Sequence, residues 1–93
     1  MANNRFGVRE VTNSITINEK DVFILCNTSS DITIRLVTAN GTLNLYNIKN
    51  IGTGIVSIVP DCTDTIDGAT GDTLLQYDAI CLLDFVKGKW IKP

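Results

Sequence analysis

Two kinds of apolar segment run along this chain, and they call for different surroundings. Ser14-Ile15-Thr16-Ile17 and Ile32-Thr33-Ile34-Arg35-Leu36 alternate apolar and polar residues. A strand places successive side chains on opposite faces, so each of these reads as a strand with one buried and one wet face. Val22-Phe23-Ile24-Leu25-Cys26 and Ala79-Ile80-Cys81-Leu82-Leu83 do not alternate. They read as strands that want apolar cover on both faces. Leu43–Ile48, Ile55–Val59, Thr65-Ile66, Thr73–Leu75 and Lys89–Ile91 supply further short runs. No window carries apolar residues at helical spacing with caps around it.

Turn chemistry punctuates these runs about every ten residues. Asn18–Asp21, Asn27–Asp31, Asn40-Gly41, Gly52-Thr53-Gly54, Asp67-Gly68 and Lys87-Gly88 are rich in residues that tolerate tight or left-handed backbone. Gly52-Thr53-Gly54 reads as a hairpin turn, because a lone Gly-x-Gly without a following helix makes a poor phosphate loop. Pro60 ends the run before it or confines it to an edge. Eight to ten strands in one domain predict an all-β fold: a compact antiparallel β-sandwich or jelly-roll-like domain with little or no helix. Residues 1–13 read as an N-terminal arm, flexible or interface-forming, on a single domain spanning 1–93. No linker, low-complexity tract or convincing internal repeat is visible.

Composition sharpens the question of cover. The chain has 93 residues, of which 44% are hydrophobic and 19% charged. An average soluble domain is about 25% charged, so part of this surface is expected to meet protein rather than water. Two sources could cover the second face of the non-alternating strands: another chain, or loops of the same chain. The first predicts a homo-oligomer with an interface built on Phe23, Leu25, Ile80 and Leu82. Leaving a side chain of that size exposed forgoes roughly 1.5–3 kcal/mol.

Charge and residue inventory then remove function classes. The net charge is −2 and no basic stripe is present, which argues against nucleic-acid binding. Lys87, Lys89 and Lys92 read as a solvated strand edge. No apolar run approaches the roughly 18 residues of a membrane span, and the polar start, Met1 to Arg5, lacks the apolar stretch of a signal peptide. The expectation is synthesis in cytoplasm.

The chain has no histidine, which removes Ser-His-Asp and Cys-His catalysis and histidine metal ligation. The three cysteines lack paired spacing and read as reduced thiols, a single disulfide being the alternative, with Cys26 and Cys81 as inert members of apolar runs. Asp61, Asp64, Asp67 and Asp72 fall in a Thr- and Gly-rich loop. They miss the alternate-position pattern of a Ca²⁺ loop and have no apolar pocket to hold one carboxyl protonated, so they read as solvated turn residues, a weak cation site being the alternative. No catalytic residue, metal ligand or cofactor is expected. Tyr46, Tyr77 and Trp90 either cap the core or line a groove for carbohydrate.

Leu45-Tyr46-Asn47-Ile48-Lys49-Asn50-Ile51-Gly52-Thr53-Gly54, then Val56-Ser57-Ile58, then Asp64-Thr65-Ile66-Asp67-Gly68 follow one another in this order. Tyr77–Leu83, a turn and Trp90-Ile91 come after them. This pattern resembles a β-rich module of tailed-bacteriophage structural proteins over residues 15–92. The resemblance implies a virion-associated structural or accessory role in a tail fibre, baseplate appendage, receptor-binding protein or head fibre. It implies assembly with itself, a trimer being favoured, and with other virion proteins, and in some members contact with a host surface glycan. The protein would be made in the host cytoplasm and then join the virion. The alternative function is a small carbohydrate-binding module for a host cell-surface glycan. The pattern residues Asn50, Gly52, Gly54, Asp67, Gly68 and Trp90 read as structural.

Overall fold

A computed structural model describes residues 8–18 and 21–93. The described chain is all-β and contains no helix. Ten strands form: β1 (Val8–Val11), β2 (Ile15–Thr16), β3 (Phe23–Cys26), β4 (Ile32–Arg35), β5 (Leu45–Asn50), β6 (Val56–Val59), β7 (Thr65–Ile66), β8 (Asp72–Leu74), β9 (Ala79–Val86) and β10 (Lys89–Ile91). They make a six-stranded sheet, β1-β3-β5-β9-β10-β7, and a four-stranded sheet, β2-β4-β6-β8.

The strand order differs from the antiparallel arrangement expected. β1, β3 and β5 lie side by side and parallel, as do β2, β4 and β6. The chain therefore crosses from the larger sheet to the smaller and back, three times over, laying each coil on the one before. Both sheets are mixed: β9 pairs antiparallel with β5 and β10, and β8 with β6. Each coil is one structural repeat, although the sequence shows none. The reason is that a coil needs only the same apolar phase, not the same residues.

Residues 8–11, expected within an arm, form β1 and pair with β3. Residues 1–7 of that arm lie outside the described residues.

Cross-strand register stacks like on like inside the molecule. Ile24 lies beside Ile48, and Ile48 beside Ile80. In the smaller sheet Ile15, Ile34 and Ile58 line up, as do Ile32, Val56 and Leu74. Buried residues of both sheets join one core. The shortest dimension of the molecule, 20 Å, fits two sheets about 10 Å apart with side chains outside each. β-Branched residues suit this geometry because their stiff χ1 packs well on a pleated surface.

The connection from the larger sheet to the smaller is an arch, at residues 12–14, 27–31 and 51–55 in successive coils. Gly52-Thr53-Gly54 is thus not a hairpin turn, as expected, but part of the third arch. It lies directly on the second. Ile51 N–H donates to Cys26 O at 2.8 Å and Gly54 N–H to Thr28 O at 2.9 Å. Short polar side chains bond between coils as well. Ser14 Oγ accepts from Thr33 N–H, and Asp31 Oδ1 from Ile55 N–H, both at 2.9 Å.

Two local turns match their residues. Asp67 (φ 50°) and Gly68 (φ 82°) both take positive φ. They close a two-residue hairpin in which Ile66 and Ala69 exchange both backbone bonds at 2.8 Å. Gly88 (φ 80°) sits in the turn between β9 and β10.

Candidate functional site

The feature that departs most from the pattern of a two-layer domain with wet outer faces is the outer face of the six-stranded sheet. In β3, Ile24 and Cys26 point inward while Phe23 and Leu25 face out, half-buried. In β9, Ile80, Leu82 and Asp84 point inward, so Ala79, Cys81, Leu83 and Phe85 face out. Cross-strand register joins them into rows. Val8, Phe23, Asn47 and Cys81 form one, and Glu10, Leu25, Lys49 and Ala79 the next. Leu45, Leu83 and Ile91 form a third. Leu45 is 48% exposed and Phe85 44%. This sheet face is mostly apolar where a lone two-layer domain would be polar.

Two of the four residues expected at an interface are thereby corrected. Phe23 and Leu25 lie on the outer face, but Ile80 and Leu82 are core residues, 7% and 0% exposed. A continuous apolar run carries no phase, and pairing with β5 puts the even-numbered positions of β9 inside. Cys81 and Leu83 hold the outward positions instead.

The aromatic trio also separates. Tyr46 and Trp90 are buried at 3% and 0% and pack edge-to-face, ring centroids 5.6 Å apart at 65°. Neither can stack on a sugar. The Trp90 Nε1–H has no hydrogen-bond partner among the described residues. Tyr77 is 65% exposed and holds an unusual positive φ of 69°. Its N–H donates to Asn50 O, which ties the turn before β9 to the end of β5.

The four loop aspartates are structural partners rather than free turn residues. Asp64, which is buried, accepts from Ala39 N–H at 2.9 Å. Asp61 accepts from the Thr38 hydroxyl. Asp67 accepts from Lys92 N–H at 3.1 Å, and Asp72 pairs with Lys92 Nζ at 3.0 Å. The Lys92 hydrogen bond, with one from Thr73 N–H, holds the Asp72 carboxyl below its ordinary range. No group of three or more metal-capable side chains gathers among the described residues.

A fifth carboxylate, Asp84, escaped sequence reasoning. It is buried and accepts from Asn40 N–H at 2.8 Å, Gly41 N–H at 2.7 Å and the Thr42 hydroxyl at 2.8 Å. The only available signal was a charged residue interrupting an apolar strand. Asp21 is buried beside Arg9, with 3.7 Å between the charged groups, and accepts from Asn18 N–H.

All three cysteines are free. Cys26 is buried as expected, and burial raises its thiol pKa to about 11. Cys81 is half-buried on the outer sheet face rather than in the core. Cys62 is exposed, and the adjacent Asp61 carboxylate pushes its pKa up. A thiol-specific disulfide reagent at pH 8 should therefore modify Cys62 first and Cys81 next. Cys26 should react at least about 100-fold more slowly than an ordinary cysteine, since only the thiolate attacks. Because folding raises the Cys26 pKa above 9.0, its contribution to stability is complete below pH 9 and falls away as pH rises towards about 11. Mass spectrometry of the labelled native protein checks the order, and equilibrium melts across pH 8–11 check the sign.

Among the described residues no helix is long and apolar enough to cross a membrane. No family model, curated protein or solved structure matches this chain.

Proposed function

We propose that this protein is a non-enzymatic structural protein that assembles with copies of itself through the outer face of its six-stranded sheet. The observation that carries this reading is the largely apolar surface of Phe23, Leu25, Leu45, Cys81, Leu83 and Ile91 on one sheet face, interrupted only by Asn47 and Lys49 on β5 among these positions. A sheet face of this composition gains free energy from protein cover, roughly 1.5–3 kcal/mol for each large side chain removed from water. Among the described residues the buried carboxylates Asp21, Asp64 and Asp84 are each engaged by backbone or hydroxyl donors of the same chain.

The tailed-bacteriophage resemblance supports a finer statement: a virion-associated accessory protein, with a trimer favoured and other virion proteins as further partners. Stacked coils with short arches suit that work, since each coil repeats one nearest-neighbour interface along an axis. A carbohydrate-binding role has less support, because two of its three candidate aromatics have no free surface.

Light scattering and sedimentation at micromolar concentration test the reading. The wild type is expected to self-associate. Phe23→Glu and Leu25→Glu, both outward positions, should each weaken association at least about tenfold, because each removes an apolar contact and buries a charge. A wild type that stays strictly monomeric defeats the proposal. Finding the protein in purified particles of the phage that encodes it would test the virion role.

A further inference from the structure

The outer sheet face carries charge in one telling arrangement. Glu10 on β1, Leu25 on β3 and Lys49 on β5 are direct cross-strand neighbours, all pointing out. Two strand spacings separate Glu10 from Lys49, about 10 Å, with the Leu25 side chain between them. Among the described residues Glu10 bonds sideways, accepting from Asn27 Nδ2 at 2.9 Å. Lys49 is half-buried between Leu25 and Ala79, and forms no ion pair among the described residues. A lone cation set into an apolar face is costly to cover unless the covering surface brings an anion. The same face supplies that anion, equally spaced on the far side of β3.

We infer that the partner on this face is another copy of the same chain, related by a symmetry axis running parallel to the strands over Phe23 and Leu25, with Glu10 of one copy paired to Lys49 of the next. This rests on the assembly reading above and goes beyond it by naming the axis and the pair. The geometry is simple. An axis along β3 carries the β1 side of one copy onto the β5 side of its neighbour. Phe23 and Leu25 meet their own counterparts at the centre, and the charges match at the flanks. Any other direction loses this match: an axis across the strands returns Glu10 to Glu10 and Lys49 to Lys49, which repels. The apolar column gives affinity and the flanking pair selects the orientation.

Sedimentation equilibrium of four variants tests the pairing. Glu10→Lys and Lys49→Glu each place like charges together and should weaken association about tenfold or more. The double swap, Glu10→Lys with Lys49→Glu, should restore it to within about threefold of wild type. Glu10→Gln keeps the acceptor for Asn27 and loses only the charge, so it should weaken association less than Glu10→Lys does. Circular dichroism of each variant confirms that the monomer is folded, and wild-type association should weaken as salt rises. Association that ignores all four variants and salt overturns the pairing while leaving assembly standing. Absence of wild-type association removes the assembly reading itself.

Discussion

Gly54→Ala is expected to be among the most destabilising single substitutions in this protein. A Cβ at this position would lie 2.1 Å from Ser30 O and 2.5 Å from Ser30 C. At Gly52 it would lie 2.3 Å from Thr28 O and 2.4 Å from Thr28 N. All of these are backbone atoms, which cannot swing aside as a flexible side chain does. To admit a methyl group the third arch must lift off the second. That breaks the bonds from Ile51 N–H to Cys26 O and from Gly54 N–H to Thr28 O. The loss should reach about 4 kcal/mol or more, a large share of the roughly 5–15 kcal/mol that holds a domain together. The sign discriminates. Where space allows, Gly→Ala stabilises by about 0.4–1 kcal/mol through the unfolded state. Gly68→Ala is the comparator: nothing lies within 4 Å of its Cβ, and only its φ of +82° is strained. Its cost should be about 1–2 kcal/mol. Urea titrations of the two variants beside the wild type give the comparison, and a Gly54→Ala protein as stable as Gly68→Ala would refute the stacking argument.

The second large effect is expected at Asn50, which is fully buried. Its side-chain amide donates to Gly54 O at 2.8 Å and to Leu74 O at 3.0 Å, and its carbonyl accepts from Gly52 N–H at 3.1 Å. One side chain thereby fastens the third arch to the end of β8. Asn50→Leu removes the side-chain donor from two carbonyls, Gly54 O and Leu74 O. Gly52 N–H retains only its longer bond to Cys26 O, 3.2 Å. Unpaired buried groups cost about 1–3 kcal/mol each, so a loss of about 3–5 kcal/mol is expected. Asn50→Asp gives a finer test. At pH 7 it sets a buried charge against two carbonyl oxygens and should be worse than Asn50→Leu. Burial raises the pKa of that introduced carboxyl, so the variant recovers as pH falls and the protonated acid can donate one bond. Chemical denaturation at pH 7 and pH 4.5, each against wild type, measures this. A pH-independent difference would mean that the side chain does not face those carbonyls.

Both effects sit in the segment Asn50 to Gly54, where the sequence pattern was read as structural but for the wrong structure. Two glycines and an asparagine around a threonine describe a hairpin turn as well as an arch. What separates them is the chain segment that lies beneath, and Thr28 and Ser30 stand more than twenty residues earlier. The same limit applied to Ala79–Leu83. Its apolar character was plain, but five apolar residues in a row do not say which of them point inward. Pairing with β5 decided that, and exchanged Ile80 and Leu82 for Cys81 and Leu83 on the outer face. Tyr46 and Trp90 were open between core and surface until the sheets closed over them.

Residues by themselves determined the features that depend on neighbours in the chain. Alternation in Ile32–Leu36 specified a half-buried strand, Asp67-Gly68 specified a turn with two positive φ angles, and the absence of helical periodicity specified an all-β chain. Only the tertiary structure decided which strands pair, in which direction, and hence which apolar residues are left facing out. The physical reason is that backbone conformation and turn chemistry are local free energies. Parallel stacking of coils is a contact between residues roughly 15 to 25 positions apart, and its register cannot be read from either coil alone.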